Sequence, residues 1–131
     1  MSWTPKAKEV EAINLLEAAK RYEYLLKRVA DQGEIWSLLK DGGWALAGDD
    51  QGRQLVPVWP HSRYAEICAE GVWAGYEPKS IPIDVWLSRW VSGMERDHRE
   101  IAAFPTPTDK GIPITPSRFK ADLEEELSQY D

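Results

Sequence analysis

The side chains with the greatest chemical reach in this chain are one thiol and two imidazoles, Cys68, His61 and His98. A cysteine nucleophile acts as its thiolate and needs a base at hydrogen-bond distance. Cys68 and His61 stand seven positions apart, so on one helix they share a face but are separated by about two turns, roughly 10 Å of rise. They cannot touch. Cys68 also shares its stripe with Tyr64 and Ile67, which reads as a small core residue. His98 lies in the charged run ERDHRE, and a zinc site built on two histidines would need carboxylates to complete it. No metal site is expected. The turn Gly48-Asp49-Asp50-Gln51-Gly52 places carboxylates beside glycine without the alternating oxygen ligands or closing glutamate of a calcium loop, so it reads as turn chemistry. Glycine is paired at most, at Gly42-Gly43, and neither a GK[ST] phosphate loop nor a GxSxG elbow is present, so no cofactor and no catalytic residue is assigned.

What remains is aromatic. Of the seven tryptophans, Trp36, Trp44, Trp86 and Trp90 fall on strand or helix positions with apolar neighbours, where core packing is expected. Trp59, Trp73 and Tyr76 instead flank proline and glycine corners, in loops where binding residues concentrate. They define a candidate contact surface of Trp59, His61, Arg63, Trp73 and Tyr76, with Asp49 and Asp50 of the neighbouring turn supplying charge. The net charge of −6 and pI near 5.0 set a field opposite to the one a nucleic acid or an anionic membrane requires. A protein partner with a basic surface suits it, and the oligomeric state is left open.

The elements that must position these residues follow from periodicity. At 131 residues the chain has the size of one domain, with a helical segment over 1–33, a sheet with two inserted helices over 34–115 and a C-terminal helix over 116–130. Thr4-Pro5 opens the first segment, and Gly33 closes it. Between them lies one bent helix, or two short helices meeting near Leu16 to Ala19. From Glu34 the runs EIWSLL, WALAG and RQLVPVW, separated by Asp41-Gly42-Gly43 and Asp49-Asp50-Gln51-Gly52, read as a three-strand antiparallel meander. Both faces of the third run are apolar, so it is sandwiched, or Pro57 marks a bulge. A short helix follows Trp59-Pro60, then the stretch VWAGYEPKSIPI, read as extended or irregular. Asp84 is read as the cap of a helix carrying Leu87, Trp90, Val91 and Met94. Strands near 100–105 and 112–114 precede a helix opened by Thr115-Pro116, on which Phe119, Leu123, Leu127 and Tyr130 share a face. The acidic cluster Asp122, Glu124, Glu125 and Glu126 forms its solvated side. The expected class is α+β, with a largely antiparallel sheet of about five strands and about four to five helices packed on it.

No stretch approaches the roughly 20 apolar residues needed to cross a bilayer. The start MSWTPKAKEVEA has no signal-peptide or transit-peptide pattern, and the lone cysteine suits a reducing compartment, so a cytoplasmic location is the default.

The motifs Arg21-Tyr22-Glu23-Tyr24, Gly42-Gly43-Trp44-Ala45-Leu46, Pro57-Val58-Trp59-Pro60-His61, Tyr64-Ala65, Ser80-Ile81-Pro82 and Phe104-Pro105-Thr106-Pro107, in this order, resemble the bacterial domain-of-unknown-function family 2750 over about residues 20–130. That resemblance implies a small bacterial cytoplasmic α+β protein and carries no catalytic residues. The run of a GW strand, a P-W-P corner and an F-P-T strand is more loosely similar to immunity partners of bacterial toxins, an analogy only. The leading expectation is a non-catalytic protein-interaction domain, an immunity-type inhibitor being one form of it. A small-ligand-binding domain with an aromatic-lined pocket and an enzyme with an unfamiliar constellation are the alternatives.

Overall fold

In the computed structural model, residues 3–48 and 51–129 are described. Two helices open the chain, α1 (Ala7–Asn14) and α2 (Ala18–Gln32), so the break at residues 15–17 decides for two helices over one bent one. Helix α1 begins after Lys6, two residues later than the Thr4-Pro5 signature indicates, and no side chain caps it. Helix α2 buries Leu25, Leu26, Val29 and Ala30 and ends where the Gly33 N–H donates to the Val29 carbonyl at 2.9 Å.

Residues 34–59 correct the expected meander. They form four short strands divided between two sheets. Strand β1 (Glu34–Lys40) lies between β2 (Gly43–Trp44) and β5 (Glu77–Pro82), antiparallel to both. Strands β3 (Ala47–Gly48), β4 (Gln54–Val58), β6 (Glu100–Ala103) and β7 (Ile112–Ile114) make the second sheet in that order. The β1–β2 turn works as read, with Asp41 and Gly42 at φ 50° and 80°, the left-handed pair that a two-residue hairpin requires. Past it, the Ala45 N–H still donates to the Leu38 carbonyl at 2.9 Å. The chain then leaves β1 and pairs Ala47 with Leu55. Ala45 is fully buried, and the small side chains there allow the chain to change sheets. The two sheets meet where Trp36 and Trp59 exchange backbone hydrogen bonds, both 2.9 Å.

Within the segment read as extended or irregular, residues 72–83, Glu77–Pro82 is the extended strand β5, paired with β1 from Glu34↔Pro82 to Leu39↔Glu77. It bonds a strand on one side only, which is where prolines such as Pro78 and Pro82 are tolerated. Strands β4 and β6 run parallel, from Leu55↔Glu100 to Val58↔Ala103, because the intervening residues return the chain to the same end through α3 (Ser62–Cys68), β5 and a helical stretch. That stretch comprises α4 (Ile83–Val85), a π turn over Trp86–Trp90 and α5 (Val91–Arg96). It starts after Pro82, with Asp84 inside its first turn instead of capping it. The last helix, α6 (Pro116–Ser128), is capped as its sequence indicates, the Thr115 side chain accepting from the Arg118 N–H at 3.2 Å. Phe119 and Leu123 of its stripe are fully buried and Leu127 half-buried. Tyr130 lies outside the described residues.

Helices α2 and α6 pack on each other, α2 against β7 and α6 against β6. Val56, Val58, Ile101 and Ala103 meet Leu25, Val29, Phe119 and Leu123 in the core beneath them. Trp86 is fully buried and stacks on Trp90 at 5.4 Å, which meets Trp44 edge-on at 4.7 Å. Trp36, Trp44 and Trp90 are half-buried around this core. The fold class is α+β in one domain.

Candidate functional site

The corner residues singled out by sequence disperse. Trp59 has no exposed surface, and its indole N–H donates to the Pro105 carbonyl at 2.8 Å. This takes Trp59 out of any contact surface and makes it a core pillar, because the corner bends inward at the joint of the two sheets. His61 caps α3, Nδ1 accepting from the Arg63 N–H at 3.1 Å, and its ring contacts Trp3 at 5.3 Å and Trp36 at 6.0 Å. Burial lowers its pKa. Arg63 is exposed beside α1. Tyr76 is half-buried with Lys40 Nζ 5.9 Å from its ring. Trp73 stands edge-on to Trp59 at 6.0 Å and, among the described members of the set, is the one that borders a wide cavity over the four-stranded sheet. Asp49 and Asp50 lie outside the described residues.

That cavity is an open groove of about 810 Å³. Register explains its floor. Ala47 pairs with Leu55, and Pro57 with Ala102 and in turn Pro113. Partners in register, and residues two apart on a strand, share a face. Ala47, Leu55, Pro57, Glu100, Ala102 and Pro113 therefore form one face of the four-stranded sheet, and Gln54, Val56, Val58, Ile101, Ala103, Ile112 and Ile114 form the other. Helices α2 and α6 cover the second face. Over the first, Val72 and Trp73, in a 3₁₀ turn (Gly71–Trp73), make one wall, and the loop of residues 105–111 makes the other. Val72 is 89% exposed.

The loop wall is rigidly built. Phe104, just past the end of β6, is fully buried in the left-handed region at φ 55°. This conformation costs about 1–2 kcal/mol for a side chain of its kind. It is held by Arg21, which is only 2% exposed. Arg21 Nε donates to the Phe104 carbonyl at 3.1 Å, Nη1 donates to the Leu16 carbonyl at 2.6 Å, and Nη2 pairs with Asp109 Oδ2 at 3.0 Å. A single buried guanidinium thus joins the α1–α2 junction, the end of β6 and the loop tip. Asp109 Oδ1 accepts from the Gly111 N–H at 2.9 Å, and Thr106 and Asp109 exchange backbone bonds. Gly111 has φ 82°, and a Cβ there would stand 2.5 Å from the Ala103 carbonyl oxygen, so only glycine fits. Pro105 closes the inner side, its carbonyl accepting from Trp59 and from the Cys68 thiol at 3.4 Å.

Electrostatically the groove is quiet. The Gly111 N–H and the Arg21 guanidinium hold the Asp109 carboxyl below the usual carboxylate range, which leaves it a poor base. Burial pushes the Cys68 thiol up to about 12, so it is the core residue expected and no thiolate at neutral pH. The most polar cluster lies elsewhere and ties α1 down. The Tyr24 hydroxyl donates to Glu9 Oε2 at 2.5 Å and shares a 3.0 Å hydrogen bond with Tyr64, while Arg28 pairs with Glu9 at 3.4 Å and covers Trp3 at 4.3 Å. Burial raises the pKa of both tyrosines. Among the described residues, no three His, Cys, Asp or Glu side chains gather as metal ligands, and no helix is long and apolar enough to cross a membrane.

The sequence reading did not find Arg21, Val72, the loop tip Thr108 to Gly111 or the sheet floor as site residues. Two signals for them were present: the apolar character of both faces of RQLVPVW, and the run FPTPTDKG, in which Gly111 is the position of closest backbone approach. Comparison with known proteins places the chain by sequence. A family model described as Protein of unknown function (DUF2750) matches residues 22–123, and the chain belongs to that family. No curated protein and no solved structure matches it.

Proposed function

We propose that this protein is a non-catalytic binding domain that holds a small apolar or amphipathic molecule in the groove over its four-stranded sheet. The observation that carries the reading is the pair of unlike sheet faces. One is sealed by α2 and α6, and the other borders an open groove of about 810 Å³ between two built walls, with Leu55 and Ala102 shielded at its centre and Ala47 and Pro113 accessible at its edges. Ligand sites are typically pre-formed concavities of roughly 300–1,000 Å³, mostly apolar with a few polar groups. The groove has Leu46, Leu55, Val72, Trp73 and prolines for apolar contact, and Thr106, Thr108, Asp109 and Lys110 for orientation. Its one carboxylate is already engaged, which favours binding over proton-transfer chemistry. The compartment we propose is the bacterial cytoplasm, which suits a single buried thiol.

The test is a titration with the uncharged fluorophore N-phenylnaphthylamine. Native protein should enhance its emission saturably. Ala47→Phe, which fills the open end of the floor at a half-buried edge position, should abolish the enhancement without lowering the melting temperature. Unchanged binding by Ala47→Phe, or no saturable binding by native protein, overturns the proposal. The exposure of Val72 favours a second reading, in which an apolar segment of a protein partner with a basic surface enters the same groove. A protein complex whose affinity is insensitive to Val72→Ser would exclude it.

A further inference from the structure

The charges around the groove define the ligand more narrowly, an inference that rests on the groove being a binding site. The ionisable side chains lining it are Asp109 and Lys110. Asp109 is neutralised from behind by the buried Arg21 guanidinium at 3.0 Å, and its second oxygen accepts from the Gly111 N–H. Lys110, next to it at the loop tip, is exposed and engages no carboxylate among the described residues. The rim therefore carries one uncompensated positive charge at the β7 end, and Thr108 of the same loop also lines it. The rest of the lining is Leu46, Ala47, Leu55, Ala102 and the prolines, which offer no charge. The floor crosses four strands, a span of roughly 15 Å at the usual strand spacing. That span, bordered by Leu46, Ala47 and Pro113 at accessible positions, has the length of an extended apolar chain.

We infer that the groove takes an amphipathic anion, with its apolar chain laid across the floor from β3 to β7 and its negatively charged head at Lys110 and Thr108. A carboxylate and a sulfate or phosphate ester head share this chemistry, and the test separates them. The overall charge of −6 opposes the approach of anions at long range, so recognition is local and the association rate should rise as salt screens the repulsion.

The experiment is calorimetric titration of the full chain with decanoate, decyl sulfate, decyltrimethylammonium and acetate, each below its micelle concentration. Decanoate or decyl sulfate should bind at least about tenfold more tightly than decyltrimethylammonium, and whichever of the two binds more tightly identifies the head. Acetate should not bind, because the chain supplies most of the free energy. Lys110→Ala should weaken the anion about fivefold, the scale of one exposed charge contact. Lys110→Glu should weaken it further and bring the cation to parity. Lys8→Glu on α1 makes the same change of net charge and should leave the preference intact. Equal binding of anionic and cationic chains, unaltered by Lys110→Glu, overturns the anion assignment while the groove stands. If no chain binds and N-phenylnaphthylamine also fails, the groove reading itself has failed.

Discussion

The two faces of the four-stranded sheet are made by the same strands and meet opposite fates. On one, Val56, Val58, Ile101, Ala103, Ile112 and Ile114 supply mostly β-branched bulk, and α2 and α6 close over it. On the other, Ala47, Leu55, Pro57, Ala102 and Pro113 supply mostly small or rigid apolar groups, and the 3₁₀ turn at Val72 and Trp73 and the loop of residues 105–111 stand over them. An apolar sheet face ordinarily has to be buried against another layer. Loops and one 3₁₀ turn shield Leu55, Pro57 and Ala102 at its centre and leave the groove alongside them. In the function proposed here, the first face supplies stability and the second the binding surface, with Arg21 fastening the loop between them.

The sharpest way to break this comparison is to truncate one side chain on each face. Ile101→Ala, under the helices, should lose about 2–5 kcal/mol in urea denaturation, whereas Val72→Ser in the groove wall should change stability by no more than about 0.5 kcal/mol. Comparable losses would mean that the groove is a core defect and not a prepared surface. Arg21→Met comes next. It leaves the Phe104 and Leu16 carbonyls without their donor, at about 1–3 kcal/mol for a buried unsatisfied group. The partly exposed Asp109 pair adds little in water, so a total of about 3 kcal/mol is expected, together with weaker binding of N-phenylnaphthylamine as the loop wall loosens. A variant with full stability but no binding would show that Arg21 serves the ligand directly. Gly111→Ala should cost about 2 kcal/mol through its positive φ and the clash with the Ala103 carbonyl, again with weakened binding.

The smallest effect is a pH dependence remote from the groove. Burial holds the His61 pKa below the ordinary 6.5, so the unfolded chain binds the proton more readily than the folded one. Stability is then full above pH 6.5 and declines as pH falls from there through the folded pKa. A protonated Nδ1 can no longer accept from the Arg63 N–H. His61→Asn keeps a capping acceptor and should flatten this limb of the urea-midpoint profile. An unchanged slope would assign it to other groups.

Much of the framework is legible in the sequence because it depends on local rules. The Asp41-Gly42 turn, the Gly33 stop and the Thr115-Pro116 start each act within a few residues. The division of residues 34–59 between two sheets is not local. It depends on which strand β4 finds at residue 100 and on a Trp36–Trp59 joint formed across the fold, and the pairing of β5 with β1 is likewise a long-range choice. The corner tryptophans show the same limit. Trp59 and Trp73 have the same residue type and similar loop settings in sequence, yet one plugs the core and the other borders solvent, because only the sheet joint decides which way each points. The groove was half-visible in the two-sided apolar character of β4. Its walls come from residues 72–73 and 105–111, far apart in the chain, and from an arginine whose position in α2 looks like any other charged helical site.

The most direct measurement is a methyl-resolved NMR titration of the full chain with N-phenylnaphthylamine. The account predicts saturable shifts at the methyls of Ala47, Leu55, Val72 and Ala102, while Val56, Val58, Ile101 and Ile114 on the helix-covered face stay fixed. Shifts confined to the helix-covered face, shifts centred on Trp44 and Trp90, or no shifts at saturating probe would contradict it.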